Sequence, residues 1–173
     1  MSSDNLFKFA RIAGVASLVA VAGLLSACQV KPLYALSTGV TQKLSEVSFS
    51  DANSRVGLQV RNQLIFIAGR GAGETKTPKY TVDLSVSSGT GGVLYLPSSD
   101  TSGAGRTTVT ASFTLKEAST GKVVKSGSRA VTSLVDFPTQ EFAKQRSIRD
   151  SEDRAAREVA EMVAADIAAA LSR

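Results

Sequence analysis

Residues 79–87 read K-Y-T-V-D-L-S-V-S, and residues 106–117 read R-T-T-V-T-A-S-F-T-L-K-E. In the first, Tyr80, Val82, Leu84 and Val86 alternate with Lys79, Thr81, Asp83 and Ser85. In the second, Val109, Ala111, Phe113 and Leu115 alternate with Thr108, Thr110, Ser112 and Thr114. Successive side chains of a strand point to opposite faces, so each segment has one apolar face and one hydroxyl-rich face. Strands of this kind make an antiparallel sheet that is buried on one side and wet on the other. A third segment, K-V-V-K-S-G-S-R-A-V-T-S-L-V-D at 122–136, returns after the turn signal Ser119-Thr120-Gly121. Gly127 is where a bulge is expected in it. Between the first two strands, residues 88–105 are rich in Gly, Ser and Thr, interrupted by V-L-Y-L-P at 93–97. They read as a connection too long for a simple hairpin, of the mobile or functional kind.

The flanks complete the pattern. L-S-E-V-S-F at 44–49 reads as a short strand. Asp51 and Asn53 are N-cap candidates for a helix whose stripe is Val56, Val60, Leu64 and Ile67, with Arg55, Gln59 and Arg61 off it. Gly69, Gly71 and Gly73 end that helix. After Phe137-Pro138-Thr139 a second helix is expected, capped by Thr139 or Ser147. From Ile148 its stripe is Ala155, Val159, Val163, Ile167 and Leu171, widened by Ala156, Ala160 and Ala170. Asp150, Glu152 and Asp153 early and Arg173 last suit the helix dipole. The order β-α-β-β-β-α predicts an α+β, two-layer sandwich. Two helices pack on one face of a mixed, mostly antiparallel four-stranded sheet. It forms a single domain over residues 44–173, preceded by a tether at 28–43.

The N-terminus has a different character. Lys8 and Arg11 precede the almost wholly apolar run at 12–25, I-A-G-V-A-S-L-V-A-V-A-G-L-L. A basic start and a short apolar run form a secretory signal, too short for an ordinary membrane span. Leu25-Ser26-Ala27-Cys28 follows, in the pattern of a bacterial lipobox. Residues 1–27 are therefore expected to be removed as a lipoprotein signal peptide, with Cys28 becoming the acylated N-terminus. Cys28 is the single cysteine, so no disulfide within the chain is available to it. Acylation also removes a free thiol from an oxidising compartment. Two or more acyl chains give stable attachment where one does not. Gln29, where inner-membrane lipoproteins of many Gram-negative bacteria carry aspartate, favours the outer membrane, with the protein on its periplasmic side.

A mature chain from Cys28 to Arg173 holds 146 residues, enough for one domain with a real core. The whole chain carries a net charge of +5. A basic excess suits an anionic partner: lipid headgroups, phosphorylated glycolipid or nucleic acid. Export argues against nucleic acid. With no histidine and the one thiol acylated, His-based acid–base chemistry, Ser-His-Asp triads, Cys nucleophiles and His/Cys zinc sites are excluded. Glu152 and Asp153 are helix neighbours that diverge, so they form no catalytic dyad. No enzyme, metal or cofactor is expected.

In combination, these features resemble the LPS-assembly lipoprotein LptE family. The resemblance rests on Cys28, then Pro32-Leu33-Tyr34, then V-R-N-Q-L at 60–64. It continues through the Thr/Ser-rich sheet to F-A-K at 142–144 and D-R-A-A at 153–156. The chain departs from better-known members in a shorter C-terminus and in lacking an aromatic residue beside the anchor cysteine. The resemblance implies two helices against a four-stranded sheet. It also implies a plug inside an LptD-type outer-membrane β-barrel that inserts lipopolysaccharide into the outer leaflet, with roles in barrel assembly and lipopolysaccharide binding.

Independently, a plug in a wet barrel lumen must expose polar surface. The Thr/Ser faces of 79–87 and 105–116 supply it. Lipid A phosphates call for arginine or lysine. Lys144 and Arg146, beside the start of the second helix, and Arg106, at the head of a strand, are the candidate ligands. They are drawn from a wider set that includes Lys116, Lys122, Lys125, Arg129 and Arg149. The alternative is a lipoprotein activator of a peptidoglycan synthase or an auxiliary lipoprotein of a lipid ABC transporter. Such modules share the lipobox and a small α+β domain.

Overall fold

The structure is a computed structural model and describes residues 39–97 and 101–172. The signal segment, Cys28, most of the expected tether and Arg173 lie outside the described residues. Seven elements follow in order: α1 Val40–Ser45, β1 Val47–Phe49, α2 Arg55–Gly69, β2 Tyr80–Leu96, β3 Thr101–Glu117, β4 Val123–Asp136 and α3 Glu141–Leu171. The four strands form one sheet in the order β1-β2-β3-β4. β1 runs parallel to β2, and the other pairings are antiparallel. This is the expected mixed, mostly antiparallel α+β sandwich, with one additional helix, α1.

The strand alternation sorts as the sequence dictates. Val82, Val109, Ala111, Phe113, Leu115 and Val131 are buried. They pack against Val56, Val60 and Leu64 of α2 and Val159, Val163 and Ile167 of α3 in one core. The intervening Ser and Thr side chains line the opposite face, which carries no helix among the described residues.

Four expectations are corrected. Ordered structure begins before residue 44: α1 buries Val40 completely and Leu44 to 3% exposure. V-T-Q-K-L places those two residues four apart, one above the other on a helix face. The strand expected over 44–49 shortens accordingly to Val47–Phe49. Second, the long connection at 88–105 is strand: β2 and β3 stay paired from Tyr80↔Glu117 out to Leu96↔Thr101. Ladder hydrogen bonds come from the backbone, so glycine pairs such as Gly92↔Gly105 continue a hairpin that side-chain pattern cannot reveal.

Third, Gly127 sits in regular register opposite Phe113, and the slip falls at Val124, between Leu115↔Lys125 and Lys116↔Val123. A Cβ at position 127 would stand 2.9 Å from Cε1 of Phe113. The glycine therefore makes room for a ring. Fourth, the helix starts move. Ser54, not Asp51 or Asn53, caps α2, its Oγ accepting from Gly57 N at 3.0 Å. α3 begins at Glu141 with Gln140 at the cap position and no side-chain cap bond, so neither Thr139 nor Ser147 caps it.

Polar contacts hold the layers together. Arg129 on β4 grips Asp166 on α3 through two bonds of 2.7 Å. Arg55 on α2 reaches Glu152 and Asp153 on α3. A hydroxyl chain, buried at Thr107 and Ser151, runs from Thr90 to Thr107 at 2.8 Å, from Thr107 to Ser151 at 2.7 Å, and from Ser151 to Ile148 O at 2.8 Å. Buried hydroxyls without partners are costly, and each of these has one. At the other end of α3, Lys43 Nζ donates to Leu171 O at 2.7 Å. That bond places a cation at the negative end of the helix dipole.

Candidate functional site

The helix-free face of the sheet is built from three strands. β3 contributes Thr108, Thr110, Ser112 and Thr114, each level with a residue of β4: Thr132, Ala130, Ser128 and Ser126. Hydroxyls meet across this seam: Thr108–Thr132 at 3.0 Å, Ser112–Ser128 at 3.0 Å and Ser126–Thr114 at 3.3 Å. On β2, Asp83, Ser85 and Ser87 extend the same face, followed by Gly89 and Gly91. Ser112 and Ser128 are exposed, as are Asp83, Ser85 and Ser87. A hydroxyl both donates and accepts, so this is a neutral surface able to match either kind of polar group. Strand period two made it legible in the sequence. Asp83 is paired with Lys116 at 2.6 Å, which neutralises one end of the face.

Arg106 lies on this face near its other end, exposed, level with Gly91 on β2 and Leu134 on β4. Leu134 is 74% exposed and Leu94, one rung beyond, is 54% exposed. A guanidinium flanked by open leucine side chains suits a ligand that is anionic and apolar at once. The leucines escaped the sequence reading. Leu134 shares its face with Thr132 and Ala130, a period-two signal hidden by the apolar neighbour Val135.

Lys144 and Arg146 are elsewhere. Both are in the first turns of α3, which packs on the opposite face of the sheet from Arg106. Residues two apart on a helix are turned by about 200° from one another, and the two side chains stand against different neighbours. Lys144 is half-buried with Nζ 5.0 Å from the centre of the Phe137 ring. Such a cation–π contact contributes about 0.5–1 kcal/mol and gives the lysine a structural role at a helix end where the dipole does not favour it. Arg146 instead joins Phe142, Gln145 and Arg149 around a surface groove of about 450 Å³. Phe142 there is 83% exposed. The sequence grouping thus splits into Arg106 on the hydroxyl face, Lys144 against Phe137, and Arg146 with Arg149 beside Phe142.

No protein-family model and no curated protein sequence matches the chain. Solved structures do. A candidate lipoprotein from Caulobacter crescentus CB15 superposes with a TM-score of 0.63 at 25% identity, over 77% of this chain and 96% of that one. Rare lipoprotein B from Shewanella oneidensis superposes with a TM-score of 0.55 at 13% identity, over 71% of this chain and 92% of that one. The second likeness is one of fold alone. Both structural neighbours are described as lipoproteins.

Proposed function

We propose that the chain is a lipid-anchored outer-membrane lipoprotein of the LPS-assembly LptE type. In this reading it occupies the lumen of an LptD-type β-barrel, helps that barrel assemble, and binds lipopolysaccharide during its passage to the outer leaflet. It performs no catalysis and requires no cofactor. The observation that carries this reading is the hydroxyl face: a three-stranded, helix-free surface with paired Ser and Thr side chains and Arg106 between exposed leucines at one end. A barrel lumen is polar and wet, so a surface that hydrogen-bonds without a broad apolar patch fits inside it. Arginine among leucines suits a phosphorylated, acylated glycolipid. The likeness to the Caulobacter crescentus lipoprotein and the Leu25-Ser26-Ala27-Cys28 motif support the anchored location.

Affinity purification from detergent-solubilised outer membrane tests the partner. A large β-barrel protein is expected to accompany the wild type and to be lost with Ser112→Glu, a change at an exposed position that leaves the core intact. A peptidoglycan synthase or a lipid ABC transporter in its place would replace the reading. Lipopolysaccharide binding is expected to weaken with Arg106→Asp, more so at low ionic strength where exposed charges act over a longer range. Binding equal to wild type for Arg106→Asp, Lys144→Asp and Arg146→Asp alike would remove the glycolipid from the proposal.

A further inference from the structure

The K-V-V-K segment at 122–125 is not explained by a plug. Val123 and Val124 are 52% and 42% exposed, and neither belongs to the core. The register slip at Val124 breaks the alternation that would turn one of the two valines inward. Lys122 and Lys125 flank them, both exposed. The segment opens β4 beside the C-terminal end of α3, and Lys43 of α1 lines the same hollow of about 380 Å³. One pole of the fold therefore presents two adjacent apolar side chains with Lys43, Lys122 and Lys125 around them, against the carboxylates of Glu117 and Asp166.

This is also the pole where the chain enters the fold. Gly39 lies one turn before Lys43, whose Nζ bonds Leu171 O. Eleven residue-to-residue steps lead from Cys28 to Gly39. Fully extended, they span at most about 38 Å. α3, with 31 residues, is about 46 Å long and carries Phe142 to the far end. A lipid at Cys28 thus keeps the K-V-V-K pole within about 38 Å of the bilayer, a bound that the Phe142 end of the fold does not share.

We infer that Lys122, Val123, Val124 and Lys125 form a membrane-docking strip that seats this pole on an anionic phospholipid surface. The valines meet the boundary between headgroups and acyl chains, and the lysines meet phosphates, the arrangement by which interfacial segments bind. The inference rests on the reading of Cys28 as the anchor. An anchor plus a second, weak surface contact fixes orientation where an anchor alone leaves the domain free to tumble.

The test uses the chain from Gln29 to Arg173, which lacks the lipid but keeps the whole described core. Sedimentation with vesicles of phosphatidylcholine alone, or mixed with phosphatidylglycerol, is measured at low and high salt. Binding is expected on the anionic vesicles only, and is expected to fade with salt. Lys122→Glu with Lys125→Glu should weaken it by on the order of tenfold or more. Val123→Ser with Val124→Ser should weaken it several-fold. Circular dichroism of each variant checks that the fold persists.

Unchanged binding by the charge-reversed variant, or equal binding to both vesicle types, overturns the inference. So does normal vesicle binding by that variant combined with loss of barrel co-purification, which would make the strip a protein interface. The intact mass of the membrane-purified full chain separates the two readings. Lipid on Cys28 without vesicle binding sinks the docking strip alone. An unmodified Cys28 thiol sinks the anchor, and with it the confinement on which the strip depends.

Discussion

At the scale of single residues, the glycines of the sheet are not alike. A Cβ on Gly105 would stand 2.2 Å from Cζ of Phe137 and 2.8 Å from the carbonyl oxygen of Gly91, while one on Gly89 would meet nothing within 4 Å. The backbone oxygen cannot move aside as a flexible side chain does. Gly105→Ala is therefore expected to lower the melting temperature clearly, whereas Gly89→Ala should leave it unchanged or raise it slightly. Comparable losses in the two variants would show that the close approach at Gly105 is not what excludes a side chain. Asp166 supplies a pH-dependent case. The bidentate hydrogen bonds from Arg129 hold its carboxyl below the ordinary carboxylate value, outweighing the opposite effect of partial burial. A depressed pKa contributes stability that is present above the unfolded value of about 3.9 and is lost as pH falls through the folded one. The gap in melting temperature between wild type and Asp166→Asn should be full at neutral pH and close in the acid limb. A gap that is constant with pH would mean that charge at Asp166 is not the source.

At the scale of elements, legibility followed how much each element depends on side-chain pattern. The strict alternation in 80–86 and 108–115 placed both strands and both faces, and the stripe from Ala155 to Leu171 placed most of α3. Pattern failed where the backbone acts alone. The outer half of the β2–β3 hairpin is held by main-chain ladders through Gly89, Gly91, Gly92 and Gly105. The first turns of α3 carry no apolar stripe and no capping side chain, so before Ile148 only the punctuation at Phe137-Pro138-Thr139 announced the helix. α1 is too short to show a period, and its two buried residues are evident only once α2 and α3 are in place. The candidate ligands fared likewise. Arg106 was read only as the head of a strand, and the structure puts it on the hydroxyl face, in step with Thr108. The separation of Lys144 from Arg146 followed from both residues lying inside a helix that starts at Glu141, beside the earlier of the two expected caps. α3 is anchored by the stripe that was legible: Ile167 is 1% exposed within the core. Ile167→Ala should cost about 2–5 kcal/mol by chemical denaturation of the soluble domain. Loss of partner binding without loss of stability would instead make that stripe an interface.

At the scale of the whole molecule, the fold has two unlike poles and two unlike faces. One face is covered by α2 and α3, and the other offers hydroxyls and Arg106. One pole gathers the chain entry and the K-V-V-K strip, and the other carries Leu94, Leu134 and Phe142. In the proposed reading, the anchor belongs to one pole while the barrel and the glycolipid share the hydroxyl face, so variants of the K-V-V-K strip should fail independently of variants at Ser112 and Arg106. The bond from Lys43 to Leu171 has a topological consequence. It brings α1 and the last turn of α3 within the length of one lysine side chain, across 128 positions of sequence. The linear order of the elements is then a matter of where the chain is cut, not of how the layers pack. A circular permutant that joins residue 172 to residue 39 through a short glycine linker and opens in the Ser119–Gly121 turn should fold with the same core, because both operations fall on exposed backbone. Its new ends would emerge beside Lys122, at the pole from which the native tether departs. An acylated cysteine grafted there should still hang the domain from the membrane in its natural orientation.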